Sequence, residues 1–180
     1  MPHLHTSPGQ HDFTVSAFII RTDGPEPVVI LHLHRKIGVL LQFGGHIELD
    51  ETPWQGLLRE LREESGYDPA QLNLLQPSSF YHAQFPGSRQ HPLPFYFNTH
   101  EFRPGNGHFH SDLTYAAVVT GAPKHSIREG ESEAIRAFTA SALKRLPPEE
   151  IFEQTRANAV YILENLLLDW QLLPASNWPA

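Results

Sequence analysis

The chain has no cysteine among its 180 residues, and positive charge is scarce, with 13 lysine and arginine residues against 20 aspartate and glutamate residues. The absence of cysteine excludes disulfide bonds, thiolate metal sites and a cysteine nucleophile. The formal net charge of -7 argues against a protein that follows a nucleic-acid backbone, because such proteins carry a basic stripe. A small anionic substrate would therefore need bound metal ions or a local basic patch.

Long apolar runs are also missing. No segment approaches the roughly 20 apolar residues that span a bilayer, and the N-terminal MPHLHTSPGQHDF lacks the basic start and apolar run of a secretory signal. We therefore expect a cytoplasmic protein without a membrane partner. With 40% hydrophobic residues, the chain is predicted to fold as a single domain over residues 1–180, with a core over about 13–172 and loose termini.

Residue patterns predict strands before, between and after two main helices. Strands are predicted over 13–21, 28–33, 38–43, 79–84, 95–102, 113–120 and 134–139. Helices are predicted over 53–65, 141–146 and 148–172, with a turn at 104–107, a loop over 121–131 and a loose tail from residue 174. This arrangement is typical of an α/β sandwich.

The helix over 53–65 has clear end signals. Thr52 is a favourable N-cap, Pro53 suits the first helical position, and Gly66 can end the helix in a left-handed conformation. The apolar residues of this segment recur at i, i+3, i+4 and i+7 and form a stripe that predicts burial against a core: Trp54, Leu57, Leu58 and Leu61.

Three glutamates, Glu60, Glu63 and Glu64, lie within about one turn of this helix, beside the apolar stripe. Like charges at this spacing destabilise a helix by roughly 0.2–0.5 kcal/mol per pair. Magnesium takes oxygen ligands and is typically held by one or two carboxylates, water and substrate phosphate. A bound divalent cation would offset the repulsion, whereas a solvated acidic face is the alternative.

The spacing around these glutamates resembles the Nudix box, the signature of hydrolases that act on a nucleoside diphosphate linked to another group. The final position of the box is usually aliphatic in the family, and Tyr67 departs from it. Seven positions match the signature: Gly45, Glu51, Arg59, Glu60, Glu63, Glu64 and Gly66. The resemblance implies an α/β/α sandwich with a mixed sheet, Mg2+ or Mn2+ as the cofactor, and a small-molecule nucleotide diphosphate as the substrate.

The resemblance also implies roles for individual residues. Glu63 and Glu64 would be metal ligands together with the Gly44 carbonyl, and Glu60 would be a ligand or a base near the attacking water. Arg59 would orient the acids, and we expect it to pair with Glu51 across the join between the loop and the helix.

Residues outside this core are weaker candidates. Family members often use a further glutamate from a loop, for which Glu131 and Glu133 qualify, and Glu48 is a third candidate for an additional ligand or base. Arg35 and Lys36 are candidates for contact with phosphate, although basic loop residues are often merely solvated.

Histidines recur with an alternating spacing that suits a strand. His108, His110 and Asp112 would share one face, either as substrate contacts or as a hydrogen-bonded structural group. They are similar to the HxHxDH run of metallo-β-lactamase-like enzymes, but Leu113 replaces the last histidine, which argues against a dinuclear zinc centre. His32 and His34 are expected on a strand surface.

The sequence features argue against two alternatives to a diphosphohydrolase. A catalytically silent Nudix-fold binding or regulatory module would have little need for the complete set of acids. Isopentenyl-diphosphate isomerase shares the fold, but its chemistry uses a cysteine, which this chain lacks. The late apolar helix suits either the core or a homodimer, and the pattern leaves the substrate open among nucleoside diphosphate derivatives.

Overall fold

The computed structural model describes residues 6–7, 9–83, 85–102, 105 and 107–179. These residues form one mixed β-sheet of nine strands. In chain order the strands are β1 (His11–Arg21), β2 (Val28–Leu33), β3 (Leu40–Leu41), β4 (Phe43–His46), β5 (Asn73–Gln76), β6 (Tyr96–Glu101), β7 (Phe109–Val119), β8 (Ile135–Phe138) and β9 (Gln171–Pro174).

The two longest strands, β1 and β7, are parallel neighbours at the centre of the sheet, and each has two partners on its outer side. The first half of β1 pairs with β4 and its second half with β2, both antiparallel. In the same way β7 pairs with β6 and then with β5. The sheet therefore splits at one end, where β4 and β6 flank the starts of the two long strands.

Helices cover both faces of the sheet. The first is α1 (Pro53–Ser65); α2 (Ala140–Arg145) and α3 (Glu153–Tyr161) follow, and α3 continues through a π-helical turn, Ile162–Leu166. One hydrophobic cluster packs α1 against odd-numbered residues of β1 and β7, and a second packs α2 and α3 against even-numbered residues. The predicted α/β/α sandwich with a mixed sheet is thus confirmed.

The ends of α1 form as predicted. Thr52 accepts a hydrogen bond from the Gln55 backbone and Gln55 reaches back to the Thr52 backbone, which is a reciprocal capping box. Gly66 ends the helix in a left-handed conformation with φ 73°. Tyr67, the departure from the aliphatic position, is buried and donates a hydrogen bond from its hydroxyl to the Gly121 carbonyl at 3.2 Å.

Short strands account for several wrong predictions. The strand predicted over 79–84 is wrong for residues 79–83, which have no regular structure, and residue 84 lies outside the described residues. The strand in this region is β5, six residues earlier, where pairing with β7 and β9 overrides weak local propensity. The predicted strand 38–43 divides into β3 and β4, and the predicted turn over 104–107 includes residues 104 and 106, outside the described residues.

The predicted C-terminal helix is present but shorter than expected, and the prediction of a loose tail was wrong. The helix predicted over 148–172 begins at Glu153, and residues 171–174 form β9 against β5. The tail expected to be loose instead closes the core, because Trp178 is buried and its carbonyl accepts a hydrogen bond from Trp54 Nε1 at 2.7 Å. The core therefore extends beyond residue 172.

Two further observations concern helices and histidines. None of the helices in the described part of the chain is long and apolar enough to cross a membrane. His32, expected on a strand surface, is buried beside Phe43, so that prediction was wrong. Residues on both faces of β2 pack in the core, because Ile30 belongs to the hydrophobic cluster under α1 and Val29 and Leu31 belong to the cluster under α2 and α3.

Candidate functional site

The double glycine of β4 allows the helix α1 to bring its acids against the sheet. Gly44 has φ 146°, a backbone conformation that favours glycine, and a Cβ there would lie 2.6 Å from Ser16 Cα. A Cβ on Gly45 would lie 2.7 Å from Glu60 Cδ. The Gly44 N–H donates a hydrogen bond to Glu64 Oε2 at 2.8 Å. Glycine is therefore required at position 44 for the close approach of β4 to β1, and at position 45 for the close approach of the Glu60 carboxylate.

Arg59 is the central cation of this site. Its guanidinium donates to both carboxylate oxygens of Glu51, from Nε at 3.1 Å and from Nη2 at 2.7 Å. It also donates to Glu60 Oε1 at 2.7 Å and to the His46 carbonyl at 3.0 Å. The predicted ion pair between Arg59 and Glu51 is present, and it ties the loop after β4 to α1. Such a two-pronged contact fixes orientation as well as charge.

Glu63 occupies the more open side of the acids. Its carboxylate lies 2.7 Å from Arg128 Nη1 and 3.7 Å from Arg59 Nη1. The loop that carries Arg128 is docked on the end of α1, because the Arg128 N–H donates to the Glu63 carbonyl at 2.8 Å and the His125 N–H donates to the Gly66 carbonyl at 3.0 Å. We call Glu60, Glu63 and Glu64 the acid cluster.

Burial makes negative charge in the acid cluster costly. Burial raises the pKa of Glu64 to about 8. The neighbouring glutamates raise this pKa further, whereas the hydrogen bond from the Gly44 N–H lowers it. Burial likewise raises the pKa of Glu60, although Arg59 opposes it. Burial alone would also raise the pKa of Glu51, but hydrogen bonds from Arg59 and the Glu48 backbone outweigh it and lower the pKa.

The acid cluster fits a hard divalent cation. Its donors are carboxylate oxygens, Glu60 and Glu64 are buried, and the guanidinium of Arg59 already binds Glu51 and contacts Glu60. Magnesium prefers oxygen ligands and leaves positions for water and phosphate. A dication between these carboxylates would favour their ionised forms, since a nearby opposite charge lowers a carboxyl pKa.

The other predicted site residues divide into two groups. Glu131 lies close enough to Glu60 and Glu64 to raise the pKa of both. Glu48 lines a cavity of about 390 Å³ beside β1 and the start of α1. Arg35 donates to the Gly130 carbonyl at 2.9 Å, next to Glu131. Arg35, Lys36 and Glu133 are all exposed on the surface.

The alternating residues His108, His110 and Asp112, just before and within β7, are buried at the end of the sheet where it splits. Asp112 accepts hydrogen bonds from the hydroxyls of Thr14 at 2.8 Å, Ser16 at 2.6 Å and Thr114 at 2.7 Å, which favours a structural role for this carboxylate. His108 contacts Asp12, with Nε2 2.8 Å from Oδ2. Burial, together with repulsion from neighbouring histidines, lowers the pKa of His110 to about 3.

Three residues of possible functional weight were missed from the sequence. Arg128 belongs to a loop that packs on the end of α1, and no sequence pattern near Arg128 predicts this contact. Asp12 and His46 approach His108 and His110 only through strand pairing. His46 directly follows the double glycine, and this position was the one local signal in the sequence that it lies near the site.

Comparisons with known proteins agree with the geometry. The family model described as NUDIX domain matches residues 10–160. A solved structure described as a hydrolase of the NUDIX family from Clostridium perfringens is 29% identical, with a TM-score of 0.68, covering 86% of this chain and 97% of that chain. A search of curated proteins found no match.

Two further solved structures share the fold at lower identity. The E. coli dihydroneopterin triphosphate pyrophosphohydrolase is 16% identical, with a TM-score of 0.59, covering 85% of this chain and 95% of that chain. The NUDIX domain of Shewanella oneidensis NrtR, solved with ADP ribose, is 15% identical, with a TM-score of 0.53 and 84% of each chain covered.

Proposed function

The chain belongs to the Nudix hydrolase family, and on this premise we propose that it is a metal-dependent enzyme that hydrolyses the pyrophosphate bond of a nucleoside diphosphate linked to another group. The products would be a nucleotide and a phosphorylated remainder. The observation that carries the proposal is the acid cluster, in which Glu60 and Glu64 are buried against β4 while Glu63 lies at the open side.

Glu63 and Glu64, with the Gly44 carbonyl, are the residues that would hold Mg2+ or Mn2+, and Glu60 would be a further ligand or the base near water. When bound, the metal supplies charge neutralisation for the diphosphate and activation of water. The chain's own residues prepare this arrangement. Arg59 holds Glu51 and Glu60 in place, and the Gly44 N–H holds one oxygen of Glu64, so that its other oxygen is available.

Positive charge near the acid cluster supports a phosphate-bearing substrate. Arg128 is exposed and lies on the loop beside Glu63, and Arg35 is fixed to the same loop through Gly130. Both side chains supply the local basic groups that an acidic protein needs to attract an anion. Glu131, on this loop, is a candidate for an additional ligand or base because of its electrostatic coupling to Glu60 and Glu64.

The substrate panel follows from the chemistry and from the relatives. It contains ADP-ribose, dihydroneopterin triphosphate and a dinucleoside polyphosphate, each incubated with the protein and Mg2+ and followed by chromatography of the products. We expect turnover of at least one compound. The double variant Glu63→Gln plus Glu64→Gln is expected to lose about 1,000-fold or more, since metal charge stabilisation contributes several kcal/mol.

The matched control is Glu149→Gln plus Glu150→Gln, which removes the same charge from an adjacent pair between α2 and α3. This variant should retain wild-type turnover. Full activity in the Glu63 and Glu64 double variant would overturn the proposed role of the acid cluster. Ligand-induced thermal stabilisation without product, across the panel, would instead favour a silent binding module.

A further inference from the structure

A second group of possible metal ligands lies around His46, the last residue of β4. Asp12, His46, His108 and His110 each offer one ligand atom, and these atoms all lie within 4.8 Å of one another. We call this group the histidine cluster. Asp12 Oδ2 lies 2.8 Å from His108 Nε2 and 3.7 Å from His46 Nε2.

Strand pairing explains why these residues converge. Asp12 on β1 is directly opposite His110 on β7, and His46 at the end of β4 is opposite Thr14, two residues after Asp12. His108 is two residues before His110. Since side chains alternate between faces along a strand and cross-strand neighbours share a face, all four point to the same side of the sheet.

That side is the one opposite α1. Even-numbered residues of β1 and β7, such as Phe18 and Ala116, pack with α2 and α3, whereas odd-numbered residues pack with α1. The regular register between β1 and β7 extends this alternation to residues 12 and 110. The histidine cluster is therefore separated from the acid cluster by the sheet, and β4 runs between them.

The cluster is buried and rich in imidazole nitrogen. Asp12 is 6% exposed, His108 8% and His110 9%. Among the residues that the structure describes, the buried His110 Nε2 has no hydrogen-bond partner, a costly state for a polar atom. The ring of Phe102 covers the histidines, with centroids 5.1 Å from His110 and 5.7 Å from His108.

Three imidazole nitrogens and one carboxylate oxygen form a donor set suited to zinc. In a tetrahedral zinc site with bonds of about 2.0–2.1 Å, ligand atoms are roughly 3.3–3.4 Å apart. The separations between the possible ligand atoms of the histidine cluster lie on both sides of this value. Side-chain shifts of about 1 Å would therefore give a tetrahedral arrangement. Magnesium, which prefers an octahedron of oxygens, fits the set poorly.

We propose that Asp12, His46, His108 and His110 form a four-ligand Zn2+ site, distinct from the Nudix metal site and independent of the proposed hydrolysis. The ion would join the ends of β1, β4 and β7. With four protein ligands it would be a closed, structural site. The His46 carbonyl accepts a hydrogen bond from Arg59, which also contacts Glu60. The same ion would therefore hold this partner of Arg59 in place.

A cavity borders two of the four proposed ligands. The cavity of about 390 Å³ is lined by Asp12 and His46 together with Glu48 and Pro53, at the edge where β4 passes into the loop before α1.

The test measures zinc binding on protein stripped with a chelator. To remove competition from the acid cluster, the background is Glu63→Gln plus Glu64→Gln. Zinc is titrated by calorimetry, and bound zinc is counted by elemental analysis after desalting. We expect about one equivalent of zinc, a higher melting temperature with zinc than with magnesium, and an intense visible spectrum, typical of tetrahedral ligation, when Co2+ replaces zinc.

In this background, His46→Ala and His110→Ala are expected to weaken zinc binding by about 100-fold or more, because each removes a ligand. The matched control is His100→Ala, which removes an exposed histidine paired with His110 across β6 and β7. It should bind zinc as the background does.

The proposal would be overturned by folded background protein that takes up no zinc or Co2+, or by unchanged binding in both His46→Ala and His110→Ala. If His110→Ala fails to fold, His46→Ala and the Co2+ spectrum decide the question, since His46 is the more exposed ligand. These readouts do not involve turnover, so they are unaffected by the outcome of the activity test.

Discussion

The acid cluster and the histidine cluster both lie beside β4, on opposite faces of the sheet, and they differ in almost every chemical respect. The acid cluster consists of oxygen donors on one helix, with arginines as partners. The histidine cluster draws nitrogen and oxygen donors from three strands. The comparison shows that a single strand, β4, can border two sites with different donor atoms, one of carboxylate oxygens and one that consists mainly of imidazole nitrogens.

The two clusters also respond to pH in opposite directions. Burial raises the pKa of Glu64 to about 8, so the folded state favours its protonated form. Burial lowers the pKa of His110 to about 3, so the folded state favours its neutral form. The acid cluster therefore opposes folding at high pH, and the histidine cluster opposes folding at low pH, when neither holds a metal.

The largest predicted effect tests this contrast in metal-free protein. The folded pKa of Glu64, about 8, is above its ordinary value of 4.5, so its contribution to stability is fully present below about pH 4.5 and is lost as pH rises through 8. We expect the free energy of unfolding to fall by up to about 5 kcal/mol over this range relative to Glu64→Gln. Denaturant unfolding at several pH values measures the difference.

Magnesium sharpens this prediction. It should restore stability at high pH in the wild type and have little effect in Glu64→Gln, because a dication compensates the ionised carboxylate. A wild type and variant with parallel pH dependence would show that burial of Glu64 carries no such cost.

A smaller effect is predicted for Gly45→Ala, which tests how closely β4 approaches the acid cluster. The new Cβ would lie 2.7 Å from Glu60 Cδ and would push this carboxylate aside. We expect the rate of hydrolysis to fall by about 10–100-fold, or roughly 1.4–2.7 kcal/mol, while the fold is retained. Steady-state kinetics on an accepted substrate measures the change.

The matched control is Gly24→Ala in the β1–β2 turn, where the nearest atom to a new Cβ is 3.7 Å away. This variant should keep wild-type activity. Equal activity in both variants would mean that the position of Glu60 does not limit catalysis.

The smallest effect is predicted for Arg128→Ala. The ion pair with Glu63 is short, but the arginine side chain is 61% exposed, and exposed pairs contribute at most about 1 kcal/mol. We expect a loss of less than about 1 kcal/mol in unfolding free energy, similar to that of Arg136→Ala, which breaks the exposed pair with Glu150. Thermal unfolding compares the two. A clearly larger loss in Arg128→Ala would show that this loop depends on the acid cluster for its position.

Local interactions explain which predictions succeeded. The helix α1 was predicted with both its ends, because Thr52, Pro53 and Gly66 act within one or two turns of chain. The ion pair between Arg59 and Glu51 was also predictable, since the two residues flank a single loop. The proximity of the three glutamates and the pair between Arg59 and Glu51 could thus be predicted from spacing, whereas the contact of Glu63 with Arg128 could not. The catalytic roles remain predictions.

Distant pairing explains which predictions failed. β5 and β9 have four residues each and are formed only because strands nearly 100 positions apart meet. Trp178 reads as part of a loose tail, but in the fold it accepts a hydrogen bond from Trp54 and packs against it. In such segments the energy of burial exceeds local propensity.

The order of amino acids was sufficient to identify the family, the helix α1 and the acid cluster, because all of these depend on residues close together in the chain. The histidine cluster could not be identified in that way. His46 and His108 are 62 positions apart, and the parallel register of β1 with β7 and the pairing of β4 with β1 bring them together with Asp12. Side chains from separate strands share a site only after the sheet has set their register, and that register is a property of the folded protein.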